Sequence, residues 1–143
     1  MSKRVLFVDD EDWSVSAYFE ILEDLGLTVD LAENGDRAIN LLQKNSYDLI
    51  VLDVMFSPGR QLGDKIEPRE SGAILLAKIR KSEIEKMQSS PDVPALVLTA
   101  ITDQRLLDSI KSNKIEGVCR KPTSFQVVIE KVCAILGVQG FEL

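Results

Sequence analysis

The chain contains no histidine and only two cysteines among its 143 residues. The first absence removes Ser-His-Asp chemistry and histidine general-base catalysis. Cys119 and Cys133 form no C-x-x-C motif, and with no histidine to complete a zinc site or a Cys-His nucleophile they read as two small core residues. Long apolar runs are missing as well: none approaches the ~18 residues that a membrane span needs, so no membrane role is expected. The opening "MSKRVLFVDD" turns acidic after a few apolar positions. It has neither the apolar region nor the small-residue cleavage site of a signal peptide, so a cytoplasmic location is expected. Clustered positive charge is lacking too. Seventeen Lys and Arg against 23 Asp and Glu leave a net charge of −6, which disfavours direct binding to nucleic acid, since that requires basic side chains to displace counterions from phosphates.

What is present is the composition of a globular protein, 45% hydrophobic and 28% charged, at a length that fits one domain over residues 1–143. The tail "GVQGFEL" is too short to be an output domain. Short apolar runs alternate with segments of helical period, as in repeated βα units around a parallel sheet. The runs are Val5 to Val8, Leu27 to Ala32, Leu49 to Leu52, Ala95 to Leu98 and Gly117 to Cys119. Most are nearly continuous hydrophobics, as expected of strands covered on both faces, whereas "TVDLA" alternates and suggests a place nearer an edge.

Five helices are expected between and after these strands. Their stripes are Tyr18, Ile21, Leu22 and Leu25, closed by Gly26; Ala38, Leu41 and Leu42; Ile74, Leu75, Lys78 and Ile79; Leu106, Leu107 and Ile110; and Phe125, Val128, Ile129, Val132 and Leu136. The third could run on through "RKSEIEKMQ" until Pro91 stops it. The last is introduced by Thr123 with Gln126 three positions on, a capping-box pattern.

In a doubly wound sheet, chemistry gathers at the carboxyl ends of the strands. Strand one delivers Asp9 and Asp10 there, strand three Asp53, strand four Thr99 and then Ala100, strand five Lys121 and then Pro122. Each has a bland reading alone: "VDDED" as a solvated turn at a helix N-terminus, Asp53 as a strand stop, Thr99 and Lys121 as ordinary strand and surface residues. Together they make a charge problem with a chemical answer. Three converging carboxylates repel one another, and a hard divalent cation such as Mg²⁺, which takes oxygen ligands, relieves the repulsion. The formal charges of Asp9, Asp10 and Asp53 are balanced by Mg²⁺ and the Lys121 ammonium. A carboxylate is a competent nucleophile toward phosphorus, and Asp53, single on a central strand, is the candidate. Phosphoryl transfer rests on positioning and on neutralising oxygen charge, so metal plus lysine suffice without a histidine base. Ala100 would leave the site open.

The blocks "VLFVDDE", "LIVLDVM", "ALVLTA" and "CRKP", in this order, resemble the response-regulator receiver domain of two-component signalling over essentially the whole chain. The resemblance implies a flavodoxin-like α/β fold, five parallel strands in the order 2-1-3-4-5 flanked by five helices, an order known from a chemotaxis receiver. It implies that Asp53 accepts a phosphoryl group from a histidine kinase or histidine phosphotransfer protein, in a phosphorelay whose altered surface is read by a downstream effector protein. Asp9, Asp10 and Asp53 would hold Mg²⁺ with the backbone carbonyl of Met55. Thr99 and Lys121 would bind phosphoryl oxygens, and the Lys121-Pro122 bond would be cis.

Three departures from that pattern stand out. Val118 occupies the position where the family usually has an aromatic switch residue. Met55 and Ile101, two positions after Asp53 and Thr99, are both apolar, and are expected to hinder the hydrolytic water and prolong the phosphorylated state. Gly72 stands nineteen positions after Asp53, about eleven more than the family's usual spacing, so a loop is inserted at about 56–70. Its six charges cancel, and it reads either as a partner-recognition flap or as a solvated insertion without a role. Two other functions compete. "DDEDWS" contains Asp10-x-Asp12 after a strand, as in haloacid-dehalogenase-like phosphatases, but only Glu130 and Glu142 follow Lys121 to serve as that family's later acidic pair. A degenerate, non-phosphorylated interaction module is the other, against which stands the intact set of Asp9, Asp10, Asp53, Thr99 and Lys121.

Overall fold

A computed structural model of the chain describes residues 3–139. The strands are β1 (Arg4–Val8), β2 (Thr28–Ala32), β3 (Leu49–Leu52), β4 (Ala95–Thr99) and β5 (Gly117–Arg120). They form one parallel sheet in the order β2-β1-β3-β4-β5. The helices are α1 (Asp12–Asp24), α2 (Gly35–Lys44), α3 (Ser71–Arg80), α4 (Gln104–Lys111) and α5 (Phe125–Leu136). β2, whose residues are mostly half-buried, is an edge strand. Among the described residues no helix is long and apolar enough to cross a membrane.

The near-continuous apolar strands follow from a sheet covered on both faces. Leu6, Val8, Ile50, Leu52, Ala95 and Val97 point to one core, beneath α2, α3 and α4. Their alternates Val5, Phe7, Leu49, Val51, Leu96 and Leu98 point to the other, beneath α1 and α5. Each fully buried Leu, Val or Phe contributes ~1.5–3 kcal/mol, so the two cores lock the register of the central strands. A slip of one residue would exchange the two faces.

Local signals end the helices. Gly26, at φ 89°, takes the left-handed turn after α1, while its N–H donates to the Glu23 carbonyl at 2.9 Å. The Asn34 and Asp103 side chains cap α2 and α4. Two expectations are corrected. α5 is capped by Ser124, whose hydroxyl accepts from Val127 N–H at 3.4 Å, and not by Thr123. No capping box forms, because Val127 stands where the box needs Glu or Gln, and Gln126 bonds Glu130 instead.

α3 stops at Arg80 and does not continue through "RKSEIEKMQ". Residues 81–94 form a loop with Ser82 and Lys86 at positive φ. The Arg80 guanidinium donates to the carbonyls of Pro91 and Val93, each at 2.7 Å, and of Lys114 at 2.7 and 3.2 Å. Ile84 and Met87 within that segment pin this loop to the core.

Candidate functional site

The backbone ladder of the sheet runs one step past three of its strands. Asp9 N–H donates to Ala32 carbonyl at 3.0 Å, Asp53 N–H to Val8 carbonyl at 2.9 Å, and Lys121 N–H to Thr99 carbonyl at 2.9 Å. Three side chains are thereby fixed at the rim by rigid backbone, with Thr99 supplied by β4 itself. Thr99, Asp9 and Asp53 are buried, at 0, 2 and 7% exposure.

Lys121 Nζ lies 2.6 Å from Asp9 Oδ2 and 3.4 Å from Asp53 Oδ2, bridging the two carboxylates. Asp9 Oδ1 accepts from the Glu11 N–H at 2.9 Å. Asp53 Oδ1 accepts from Thr99 Oγ1 at 2.5 Å, Val54 N–H at 2.7 Å and, weakly, Met55 N–H at 3.5 Å. The Thr99 hydroxyl in turn accepts from Ile101 N–H at 3.1 Å. A hydrogen-bonded line therefore leads from the loop after β4 to the carboxylate.

Burial raises the Asp9 pKa, only partly opposed by its hydrogen bond to Lys121. Burial would lower the Lys121 pKa, but the Asp9 hydrogen bond and the charges of Asp53, Asp9 and Glu11 outweigh it and lift the value. One ammonium does not fully compensate a buried carboxylate, whereas several carboxylates more than compensate one ammonium.

Asp10 is exposed and Met55 is 44% exposed at the same rim. Ala100 is exposed beside a cavity of about 410 Å³, whose walls include Tyr18, Phe125, Lys121 and Pro122. The Lys121-Pro122 peptide bond is cis. Val118 and Ile101 are half-buried and pack on the α4 side of the sheet. Both cysteines are buried and free. Glu130 lies on exposed α5 surface bonded to Gln126; Glu142 and the Asp12 side chain fall outside the described residues.

Among the described residues no three His, Cys, Asp or Glu side chains are already gathered around a single point. The donor set still fits Mg²⁺. Two buried carboxylates from different strands reach one cation, the ammonium, and Mg²⁺ commonly takes one or two carboxylates while keeping several waters.

The insertion is tied to α2. Ser57 carbonyl accepts from Gly35 N–H at 2.8 Å, and Asp36 Oδ1 accepts from the N–H groups of Arg60 and Gln61 at 2.9 and 2.7 Å. Gly59, at φ 68°, passes so close to the Asp36 carboxylate that a Cβ would collide with it. Leu62 is 1% exposed within the core. The sequence reading missed Asp36, Leu62 and Ser71 as residues that shape this rim; a lone leucine in a polar run and a serine just before Gly72 were the available signals.

Residues 5–133 match the family model described as the response regulator receiver domain. The chain is 30% identical over 121 residues to the sensor protein GacS of Pseudomonas syringae pv. syringae, covering 85% of this chain and 12% of that protein. It is 25% identical over 140 residues to the regulatory protein VanRB of Enterococcus faecalis, covering 98% of this chain and 55% of that protein. Among solved structures it resembles the receiver domain of a sensor histidine kinase from Pseudomonas aeruginosa PAO1, which holds a magnesium ion in its active-site cleft. The TM-score is 0.72 at 19% identity, over 96% of this chain and 99% of that one. The chain thus spans about half of one of these curated relatives and a small part of the other.

Proposed function

Because the chain belongs to the response-regulator receiver domain family, a family of signalling domains of two-component systems, we propose that Asp53 is its phosphoacceptor. The supporting observation is the placement of one buried carboxylate between a hydroxyl and an ammonium, Thr99 and Lys121, on three adjacent parallel strands. An Asp53 oxygen attacks the phosphorus of a phosphohistidine. The new P–O bond forms as the P–N bond breaks, and the leaving imidazole takes its proton from solvent. Among the described residues Oδ2 has the long contact to Lys121 at 3.4 Å, and it is the less engaged oxygen.

The transferred group brings acceptor oxygens that compete for the same donors. Thr99 and Lys121 exchange their bonds to Asp53 for bonds to phosphoryl oxygens. Asp9, Asp53, the Met55 carbonyl and Asp10, the last through its exposed position, would hold Mg²⁺, which when bound neutralises phosphoryl charge. That the receiver domain of the Pseudomonas aeruginosa kinase holds magnesium in its cleft favours the same choice here.

When Thr99 turns, Ile101 N–H loses its acceptor, so the loop before α4 shifts its equilibrium, with Val118 and Ile101 repacking where relatives use an aromatic ring. Partner proteins read that face. The donor is a histidine kinase or phosphotransfer protein and the reader a downstream effector protein, both in the cytoplasm, without direct nucleic-acid contact. Apart from accepting phosphoryl groups from small donors and hydrolysing its own acyl phosphate, the domain is not an enzyme. Apolar Met55 and Ile101 offer no polar group to orient the hydrolytic water, so the phosphorylated state is long-lived.

The test is phosphate-affinity electrophoresis after incubation with a small acyl-phosphate donor. A retarded band that requires Mg²⁺ and vanishes on chelation supports the reading, and none under either condition refutes it.

A further inference from the structure

The backbone after Asp53 is anchored at nearly every step. Val54 carbonyl accepts from Gly72 N–H at 2.9 Å, Phe56 carbonyl from the Ser71 hydroxyl at 2.8 Å, and Ser57 carbonyl from Gly35 N–H at 2.8 Å. Ser71 and Phe56 are both fully buried, whereas Met55 between the two anchored peptides is 44% exposed. Gly72 fits closely beneath this turn: a Cβ there would stand 2.5 Å from the Asp53 carbonyl oxygen and 2.8 Å from Val54 Cα. The first turn of α3 therefore grips the backbone on both sides of Met55, once through a main-chain N–H and once through a side chain.

We infer that Ser71 is a positioning residue for the metal, acting through the backbone of Phe56 to fix the orientation of the Met55 carbonyl. This rests on the proposed function, in which that carbonyl is a magnesium ligand. The Met55–Phe56 peptide lies between two anchored neighbours and keeps its carbonyl in one direction. Removing the Ser71 hydroxyl releases one anchor, leaves the Phe56 carbonyl buried without its donor, and lets the intervening peptide turn. A cation that demands near-ideal octahedral geometry is sensitive to such a turn. Groups that orient a metal's ligands typically govern affinity by tenfold or more. The side chain is the only adjustable part of the grip, since the Gly72 contact is main chain to main chain.

The experiment is calorimetric titration of the full chain with Mg²⁺, without any phosphodonor, on wild type, Ser71→Ala, Ser71→Thr and Ser89→Ala. Ser89 is a control buried hydroxyl, 6% exposed, that accepts from Tyr47 N–H at 2.8 Å at the opposite end of β3. The expected result is Mg²⁺ affinity at least tenfold weaker in Ser71→Ala, with Ser71→Thr and Ser89→Ala close to wild type. Unchanged affinity in Ser71→Ala, equal loss in Ser89→Ala, or no rescue by a folded Ser71→Thr would each overturn the inference while leaving the phosphoacceptor reading intact. A wild type that binds no Mg²⁺ would instead refute the metal component of the proposed function. Should Ser71→Ala not fold, Ser71→Cys, which keeps the volume but weakens the donor, is titrated in its place with the same outcomes deciding.

Discussion

Thr99 Oγ1 and Asp53 Oδ1 stand 2.5 Å apart, the hydroxyl donating, with Thr99 fully buried on β4 and Asp53 one step past the end of β3. The same hydroxyl accepts from Ile101 N–H, so it couples the carboxylate to the loop before α4. Replacing Thr99 by Val keeps the shape and removes both bonds. Phosphorylation from a small donor is expected to slow by about tenfold or more, as when one donor to a developing charge is deleted. Thr99→Ser is expected to restore most of the rate, measured by the time course of a phosphate-affinity gel.

Lys121 separates two buried carboxylates, and Lys121→Met leaves Asp9 and Asp53 facing each other without a cation. Breaking a buried pair from one side typically costs ~3–5 kcal/mol, and the rim position puts this case toward the lower value, about 3 kcal/mol. Urea unfolding should show the loss, and saturating Mg²⁺ should recover part of it by binding the folded state alone.

The insertion is part of the structure and not a free flap along its first half. Leu62→Ala is expected to cost about 3 kcal/mol, the loss for a buried leucine. Asp36→Ala should cost only about 1 kcal/mol, because water can replace its carboxylate at exposed amides. Its distinguishing effect is faster hydrogen exchange at the Arg60 and Gln61 amides, measured by NMR. Slow exchange there in Asp36→Ala would refute the anchor.

Alkaline pH tests a different contact. Burial, then the hydrogen bond that the Tyr47 hydroxyl donates to Asp30 Oδ2 at 2.7 Å, raises the Tyr47 pKa well above its ordinary value. The folded state therefore keeps this proton after the unfolded chain begins to release it near pH ~10. The contribution is complete below that pH and is lost as pH rises through the folded value. Tyr47→Phe should lower the urea midpoint at pH 8 and flatten its decline above pH 10. A residual slope is expected, since burial raises the Tyr18, Cys119 and Cys133 pKa values in the same direction.

The sheet was legible because strands buried on two faces leave continuous apolar runs, and the rim residues because each follows such a run within two positions. Strand order came from the resemblance and matches the pairing. What was illegible depended on distant partners. Ile84 and Met87 have helical spacing, yet Arg80 draws residues 81–94 into a loop by bonding carbonyls of Pro91, Val93 and Lys114. Leu62 stands out as a leucine in a polar run, but nothing local says that it reaches the core beside Gly35. Ser71 bonds a carbonyl fifteen positions earlier in the chain, a contact that local periodicity does not encode.

Intact-protein mass measurement of wild type and Asp53→Asn, after incubation with Mg²⁺ and a small acyl-phosphate donor, bears most directly on Asp53. Wild type should gain a single phosphoryl group, removable by hydroxylamine as an acyl phosphate is, and Asp53→Asn should gain none. An unmodified wild type, or a variant that still takes up the group, would contradict the assignment of Asp53 as the phosphoacceptor.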